Sequence, residues 1–291
     1  MRRYETIFPS VNTRAYAKPI TALVMEPDPP PRRPGAMLVT HGWGGNRFQY
    51  EQQMAWAAER LGLVCVAPEF RQSGLDHDAA RGCGWDVPYD LSFYQVFDVL
   101  GALRHVLTLR PGIDRRRLFH YGGSQGGHIA LLGAAFAPRT FAMVYAASPV
   151  THVWDGGAAL TGRTFRPWEV SVRNAIAHAD AIRCPVLLEH GTADEIVDCD
   201  AHARPLVRRL RQLGRDVRVR YYRGGGHSLA PVATRFDTFR RRAPRAVRSC
   251  RLAGQDDWAA GRTVRIPCGE RTLVIDWSQP NESLDLFRWV E

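Results

Sequence analysis

Lysine is almost missing from this chain. Only Lys18 is present, so arginine supplies 38 of the 39 basic residues. Long apolar runs are missing too, and no stretch nears the roughly eighteen consecutive apolar residues of a membrane-spanning helix. Two arginines follow Met1, but no apolar segment stands behind them, which argues against a secretory signal. There is no CxxC pair, and no Cys/His cluster has zinc-site spacing. A soluble, cytoplasmic protein without a membrane partner is the expectation.

What is present is ordinary globular material. The chain has 291 residues, 45% hydrophobic and 23% charged, with 26 glycines and 19 prolines. Disordered, collagenous and low-complexity classes are excluded by that balance. One large domain can bury a sizeable core at this length. The formal charge of +10 is spread from Arg2 to Arg288, with short runs at Arg115–Arg117, Arg208–Arg209 and Arg240–Arg242. A nucleic-acid surface concentrates such charge in a patch with interleaved aromatics, so nucleic acid is not expected as a partner. Of the six cysteines, Cys65 and Cys184 lie in apolar runs and read as buried small hydrophobes. Cys250 and Cys268 bracket a C-terminal loop and would pair only in an oxidising compartment.

Two extended stretches, Thr6–Asn12 and Ile20–Met25, precede a break at Asp28-Pro29-Pro30-Pro31. A strand-then-helix rhythm follows. Strands are predicted at Ala36–Thr40, Leu63–Ala67, Leu118–Tyr121, Phe141–Ala146, Pro185–Glu189 and Val217–Tyr222. Helices are predicted at Phe48–Leu61, Leu91–Leu107, Gln125–Phe136, Ala201–Leu213 and Ser228–Arg241. Short apolar strands alternating with helices imply a mostly parallel sheet covered on both faces, the α/β class. Ligands of such sheets bind at the carboxyl ends of the strands. Thr151–Asp180, rich in Trp, Gly and Pro, interrupts the rhythm as a lid-like insertion. The expected layout is a catalytic domain over 1–242 and an extension over 243–291, the latter with a hairpin turning at Cys268-Gly269-Glu270.

Gly122-Gly123-Ser124-Gln125-Gly126-Gly127 carries the strongest chemical signal. It contains G-x-S-x-G between a predicted strand and a predicted helix. Such a turn lifts the serine hydroxyl above the sheet, and the helix start offers the Gln125 N–H to developing negative charge. A nucleophilic serine needs a base and an orienting carboxylate, in the chain order Ser, Asp/Glu, His. Asp194 follows one strand end and His227, within Gly224-Gly225-Gly226-His227, follows the next. Glu195, Asp198 and Asp200 are competitors for the acid, and His190 reads as a brace for the loop. His120 and His128, which flank the serine turn, read as packing groups. In His41-Gly42-Trp43-Gly44-Gly45 the Trp43 N–H supplies the second oxyanion donor, and its indole is a candidate pocket wall. Trp154, Phe165 and Trp168 of the insertion are further candidate walls, with core filling as the alternative.

These stretches, with Ala179–Leu188 and His190-Gly191-Thr192-Ala193-Asp194, resemble the α/β-hydrolase superfamily over roughly residues 18 to 242. Within it the chain is similar to prolyl oligopeptidase-type catalytic domains and to acetyl xylan esterase and dienelactone hydrolase-like esterases. The resemblance implies a Ser124, Asp194 and His227 triad, backbone oxyanion donors at Trp43 and Gln125, and no metal or organic cofactor. No segment of this sequence reads as an N-terminal propeller, so an oligopeptidase proper is not expected. The loop Arg71–Pro88 and the tail from Ala243 have no counterpart in the pattern. A serine esterase acting on a small-molecule ester, such as a short-acyl or acetyl ester, is the leading expectation. An amidase or peptidase using the same machinery comes second, and a non-catalytic binding protein on a hydrolase scaffold third.

Overall fold

The computed structural model describes residues 1–11, 19–75, 77–78, 89–153, 161–162 and 164–291. Its core is a sheet made from the apolar runs. β3 (Gly35–Thr40), β4 (Leu63–Pro68), β5 (Leu118–Gly123), β6 (Met143–Ala147) and β7 (Val186–Gly191) are buried at every position. Strands covered on both faces read as continuous apolar segments, and these do. With β8 (Val217–Tyr222) they pair in parallel in the order β4-β3-β5-β6-β7-β8. β1 (Arg2–Pro9) and β2 (Pro19–Glu26) extend the sheet antiparallel beyond β4, giving eight strands in all.

Alternate side chains feed two apolar layers, as the two-residue period of a strand requires. Met37 and Val39 of β3 face one layer, shared with α1 (Glu51–Leu61) and α6 (Arg235–Ser249). Ala36 and Leu38 face the other, which holds α2 (Tyr94–Leu109), α3 (Gln125–Phe136) and α5 (Ala203–Gln212). The short α4 (Pro167–Val172) belongs to the insertion. This is the mostly parallel, doubly covered sheet of an α/β-hydrolase fold. Among the described residues, no helix is long and apolar enough to cross a membrane.

Two elements depart from expectation. α6 begins at Arg235 rather than Ser228 because Thr234 caps it: its hydroxyl accepts from the Asp237 N–H at 3.1 Å. It then runs through Pro244 to Ser249, across the expected 242/243 division. The extension beyond it forms a small antiparallel sheet, β11-β10-β9, from β9 (Thr263–Cys268), β10 (Arg271–Asp276) and β11 (Phe287–Val290). The first two are the hairpin that the sequence predicts, and the third is additional.

This sheet is built into the main core. The buried Trp277 donates its indole N–H to the Phe136 carbonyl at 2.9 Å, and Phe287 stacks on Phe97 with centroids 4.6 Å apart. Arg115 pairs with Asp256 at 2.7 Å. Cys250 and Cys268 are free thiols in different apolar layers, on opposite sides of the large sheet, so the pairing considered from sequence does not form.

Candidate active site

Ser124 occupies the single residue between β5 and α3. The chain must turn from strand to helix there, and Ser124 adopts φ 57° and ψ −124°, a conformation costly for any residue with a side chain. Its neighbours permit the turn. A β-carbon at Gly122 would collide with the Gly126 carbonyl, and one at Gly126 would collide with the Thr40 carbonyl. The Ser124 N–H donates to the Ala147 carbonyl of β6 at 2.8 Å, and its own carbonyl accepts from His128 at 3.1 Å. The side chain is thereby held at the carboxyl rim of the sheet.

Asp194 and His227 leave the next two strands at the same rim. Thr192 N–H to Tyr222 carbonyl and Ala193 N–H to Gly225 carbonyl, both 2.9 Å, tie their loops together. The Asp194 carboxylate is fully buried yet well supplied with donors. It accepts from the backbone N–H groups of Ile196 at 3.0 Å and Val197 at 2.9 Å, and from His190 Nε2 at 3.0 Å. His227 Nδ1 donates to it at 2.8 Å. Burial raises its pKa, but the donors from His190, His227 and Val197 outweigh that and hold it below the usual carboxylate range. Since Nδ1 carries the proton toward Asp194, Nε2 of His227 is the basic nitrogen.

The structure brings Asp194 and His227 into direct contact, and Ser124 stands at the same carboxyl rim of the sheet. Ser148, one residue beyond the Ala147 carbonyl that holds Ser124, donates from Oγ to the His227 carbonyl at 3.0 Å. Arg235 Nη2 donates to that same carbonyl at 2.6 Å, and its Nη1 donates to Tyr50 Oη at 3.1 Å. Among the described residues, no hydrogen bond joins Ser124 Oγ to the His227 ring; such contacts often tighten only with substrate bound. No group of three or more His, Cys, Asp or Glu side chains among the described residues is arranged to hold a metal ion.

Gln125 opens α3, where first-turn N–H groups have no intrahelical acceptor. Its side chain is engaged elsewhere: Oε1 accepts from Tyr89 Oη at 2.7 Å, and Nε2 donates to Gln95 Oε1 at 2.9 Å. Trp43 lies parallel to Tyr89, with centroids 4.5 Å apart and planes 1° from parallel. Trp43, Tyr89, Leu91, Val153 and Phe165 form a small apolar group separate from both core layers. Two of the candidate walls, Trp43 and Phe165, are therefore together.

Trp168 is not with them. It packs against the main core, with Arg166 at 5.1 Å and Arg271 at 4.4 Å over its ring. Trp154 lies outside the described residues. Tyr89, Leu91, Val153 and Arg173 are additions that the sequence reading missed. Arg173 is almost wholly buried and donates to the Asp90 carbonyl at 2.8 Å and the Leu91 carbonyl at 3.0 Å, with Phe165 4.7 Å away. It ties the insertion to the floor of the aromatic group.

His41, His120 and His128, also near the rim, are neutral braces. Burial pushes His120 and His128 down to about 3 and His41 down to about 4. His128 Nε2 donates to the Arg173 carbonyl at 2.7 Å, and His41 stacks on Phe70 at 4.1 Å. His190 Nε2 also donates to the Val197 carbonyl at 2.8 Å, which closes the Asp194 loop on itself.

Comparison with known proteins points the same way. The model of the prolyl oligopeptidase family matches residues 86–243, and that of acetyl xylan esterase (AXE1) matches residues 1–153. Each spans just over half of the chain. An acylamino-acid-releasing enzyme of Rattus norvegicus is 24% identical over 246 residues, covering 75% of this chain and 32% of the relative. The chain thus spans about a third of the length of that curated relative. Among solved structures, the Pyrococcus horikoshii acylaminoacyl peptidase (orthorhombic form) superposes with a TM-score of 0.71 at 16% identity, over 87% of this chain and 42% of that one. A putative dipeptidyl aminopeptidase IV from Bacteroides ovatus gives 0.68 at 16% identity, over 86% and 36%. These structural likenesses establish the α/β-hydrolase fold.

Proposed function

We propose that this chain, which belongs to the prolyl oligopeptidase family, is a serine hydrolase that cleaves a carboxylic ester through an acyl-enzyme on Ser124. One observation carries the reading: a buried carboxylate, Asp194, holds His227 Nδ1 at 2.8 Å, at the sheet rim that also carries Ser124 in a strained strand-to-helix turn. Ser124 Oγ attacks the ester carbonyl while its proton passes to His227 Nε2. The tetrahedral oxyanion is received by the backbone N–H groups of Trp43 and Gln125, and losing one such donor costs on the order of 10²–10³ in rate. The oxyanion collapses, the C–O bond to the alcohol breaks, and His227 returns its proton to the departing oxygen. Water then attacks the acyl-enzyme by the same route. Asp194 keeps the imidazole in the Nδ1–H tautomer and stabilises the imidazolium that forms.

The Trp43, Tyr89 and Phe165 group suits the acyl portion, being apolar and adjacent to the oxyanion loop. Amide cleavage is the second reading, favoured by the acylaminoacyl peptidases among the similar proteins. Matched acetyl esters and acetyl-aminoacyl amides separate the two. The ester is expected to give the higher kcat/KM, and Ser124→Ala is expected to abolish turnover of both. Faster amide than ester cleavage would reverse the assignment of substrate class.

A further inference from the structure

Tyr89 touches both residues assigned to the oxyanion hole. Its ring lies flat against the Trp43 indole, with centroids 4.5 Å apart and planes 1° from parallel. Its hydroxyl donates to Gln125 Oε1 at 2.7 Å. Tyr89 is 1% exposed and Gln125 is 2% exposed, so neither can trade this hydrogen bond for water. Burial also raises the Tyr89 pKa above its ordinary 10.0, which keeps the hydroxyl a donor at any working pH.

The two contacts restrain backbone of two kinds. Trp43 and Gly44 are the central residues of a turn closed by the Gly45 N–H on the Gly42 carbonyl at 3.0 Å. Gly44 takes φ 71°, as the third residue of a type II turn does, and it is exposed. This is a surface turn, and the indole packed on Tyr89 and Leu91 is its inward anchor. Gln125 opens α3, and its side-chain amide is held at both ends, since Nε2 donates to Gln95 Oε1 at 2.9 Å. The chain carries Tyr89 at a cost. Leu91 and Ser92 adopt φ 52° and 80°, sparsely populated for residues with side chains. Such strain persists only where the surroundings over-determine it. Here the Leu91 carbonyl accepts from Arg173 at 3.0 Å, the Asp90 N–H donates to Gln72 Oε1 at 2.7 Å, and the Ser92 N–H donates to Gln95 Oε1 at 2.8 Å.

We infer that Tyr89 is a positioning residue that holds the Trp43 and Gln125 backbone N–H groups in register through a single side chain. This rests on the acyl-enzyme reading above and adds a residue to it. Tyr89 directly follows the loop Arg71–Pro88, which has no counterpart in the family pattern. Oxyanion donors act when they stand about 2.7–3.1 Å from the place where charge develops. Play of about half an ångström at either residue is therefore felt in the barrier. The donors meet a charge that exists in the tetrahedral intermediate and not in the bound ester. Lost register thus slows acylation without weakening ester binding. Asp194 and His227 are untouched, so the pH dependence of acylation stays in place.

The test compares the whole chain with Tyr89→Phe, which keeps the ring on Trp43 and removes the hydroxyl. Rapid-mixing kinetics with p-nitrophenyl acetate separate the dissociation constant of the ester from the rate constant of acylation. Acylation is expected to slow about tenfold, the share that one buried hydrogen bond carries, with the dissociation constant changed less than about twofold. The inhibition constant of trifluoroacetone should rise by the same factor. Its adduct forms the Ser124 Oγ–C bond, sends the serine proton to His227 Nε2 and leaves an oxyanion in the hole. Gln125→Met keeps the backbone N–H but removes the acceptor, so adding Tyr89→Phe to it should slow acylation less than about twofold further. Tyr89→Leu also removes the stack on Trp43 and should slow acylation at least about threefold beyond Tyr89→Phe. Acylation within about twofold of the parent in Tyr89→Phe, or two fully multiplicative losses in the double variant, would overturn the inference. Equal rates in Tyr89→Leu and Tyr89→Phe would overturn the Trp43 arm of it. If the acid-quenched parent protein carries no acetyl group on Ser124, the catalytic reading itself has failed.

Discussion

Replacing Asp194 by Asn changes one atom in the site and reverses one hydrogen bond. The carboxylate has two oxygens facing four donors: the N–H groups of Ile196 and Val197 on Oδ1, and His190 and His227 toward Oδ2. Asn keeps one oxygen, which the two backbone donors fix in the Oδ1 position. Its NH₂ then points at two histidine N–H groups and cannot accept from either. His227 must turn its proton to Nε2, the nitrogen that is required as base. The expected loss in kcat is on the order of 10⁴, about 5.5 kcal/mol of barrier. Initial rates on p-nitrophenyl acetate measure it, and thermal unfolding confirms that the variant is folded. A loss under tenfold would refute the role given to Asp194. The pH sign follows as well. Asp194 has a folded pKa below its ordinary 3.8, so its stabilisation is present above that value and is lost as pH falls through the folded one. The Asn variant should lack that acid-side contribution.

Trp277→Ala removes a fully buried indole and leaves the Phe136 carbonyl without its donor, so a loss of about 3–5 kcal/mol is expected by urea denaturation. A loss below about 1 kcal/mol would mean that the extension is not part of the core. Arg235→Met frees the His227 carbonyl and Tyr50; kcat should fall about tenfold or more, some 1.4 kcal/mol, with KM for a small acetate little changed. His120 and His128 have folded values near 3 against an ordinary 6.5. The unfolded chain therefore binds more protons between those limits, and each should lower stability by about 1.4 kcal/mol per pH unit as pH drops below 6.5. His128→Gln should flatten that slope, which denaturant titrations at pH 4–7 will read.

The parts of the site legible in the sequence are those fixed by local chain geometry. Ser124 is readable because its turn demands glycine at Gly122 and Gly126, and Asp194 and His227 because each falls in the loop just past a strand end. What the sequence hides depends on distant partners. Nothing local tells that Tyr89 stacks on Trp43 while Trp168 faces Arg271 of the C-terminal sheet. The bounds of α6 differ for a related reason: the cap formed by Thr234 with Asp237 starts the helix at Arg235, and the helix continues through Pro244 to Ser249, beyond the expected Ser228–Arg241. β11 has only four residues, too few to show a period. The arginine excess, plain as composition, also conceals individual tasks. Arg71 pairs with Asp98 at 2.7 Å, and Arg173 is seated under the aromatic group, both almost wholly buried. Burial and pairing of that kind are set by tertiary packing, which charge counting does not see.

Reaction of the folded protein with an alkyl fluorophosphonate, followed by intact mass and peptide mapping, is the most direct probe of the catalytic assignment. One adduct per chain is expected, carried on Ser124, formed by native protein and lost on urea unfolding or in His227→Ala. An unmodified Ser124 in folded protein, or equal labelling in the unfolded chain, would contradict it.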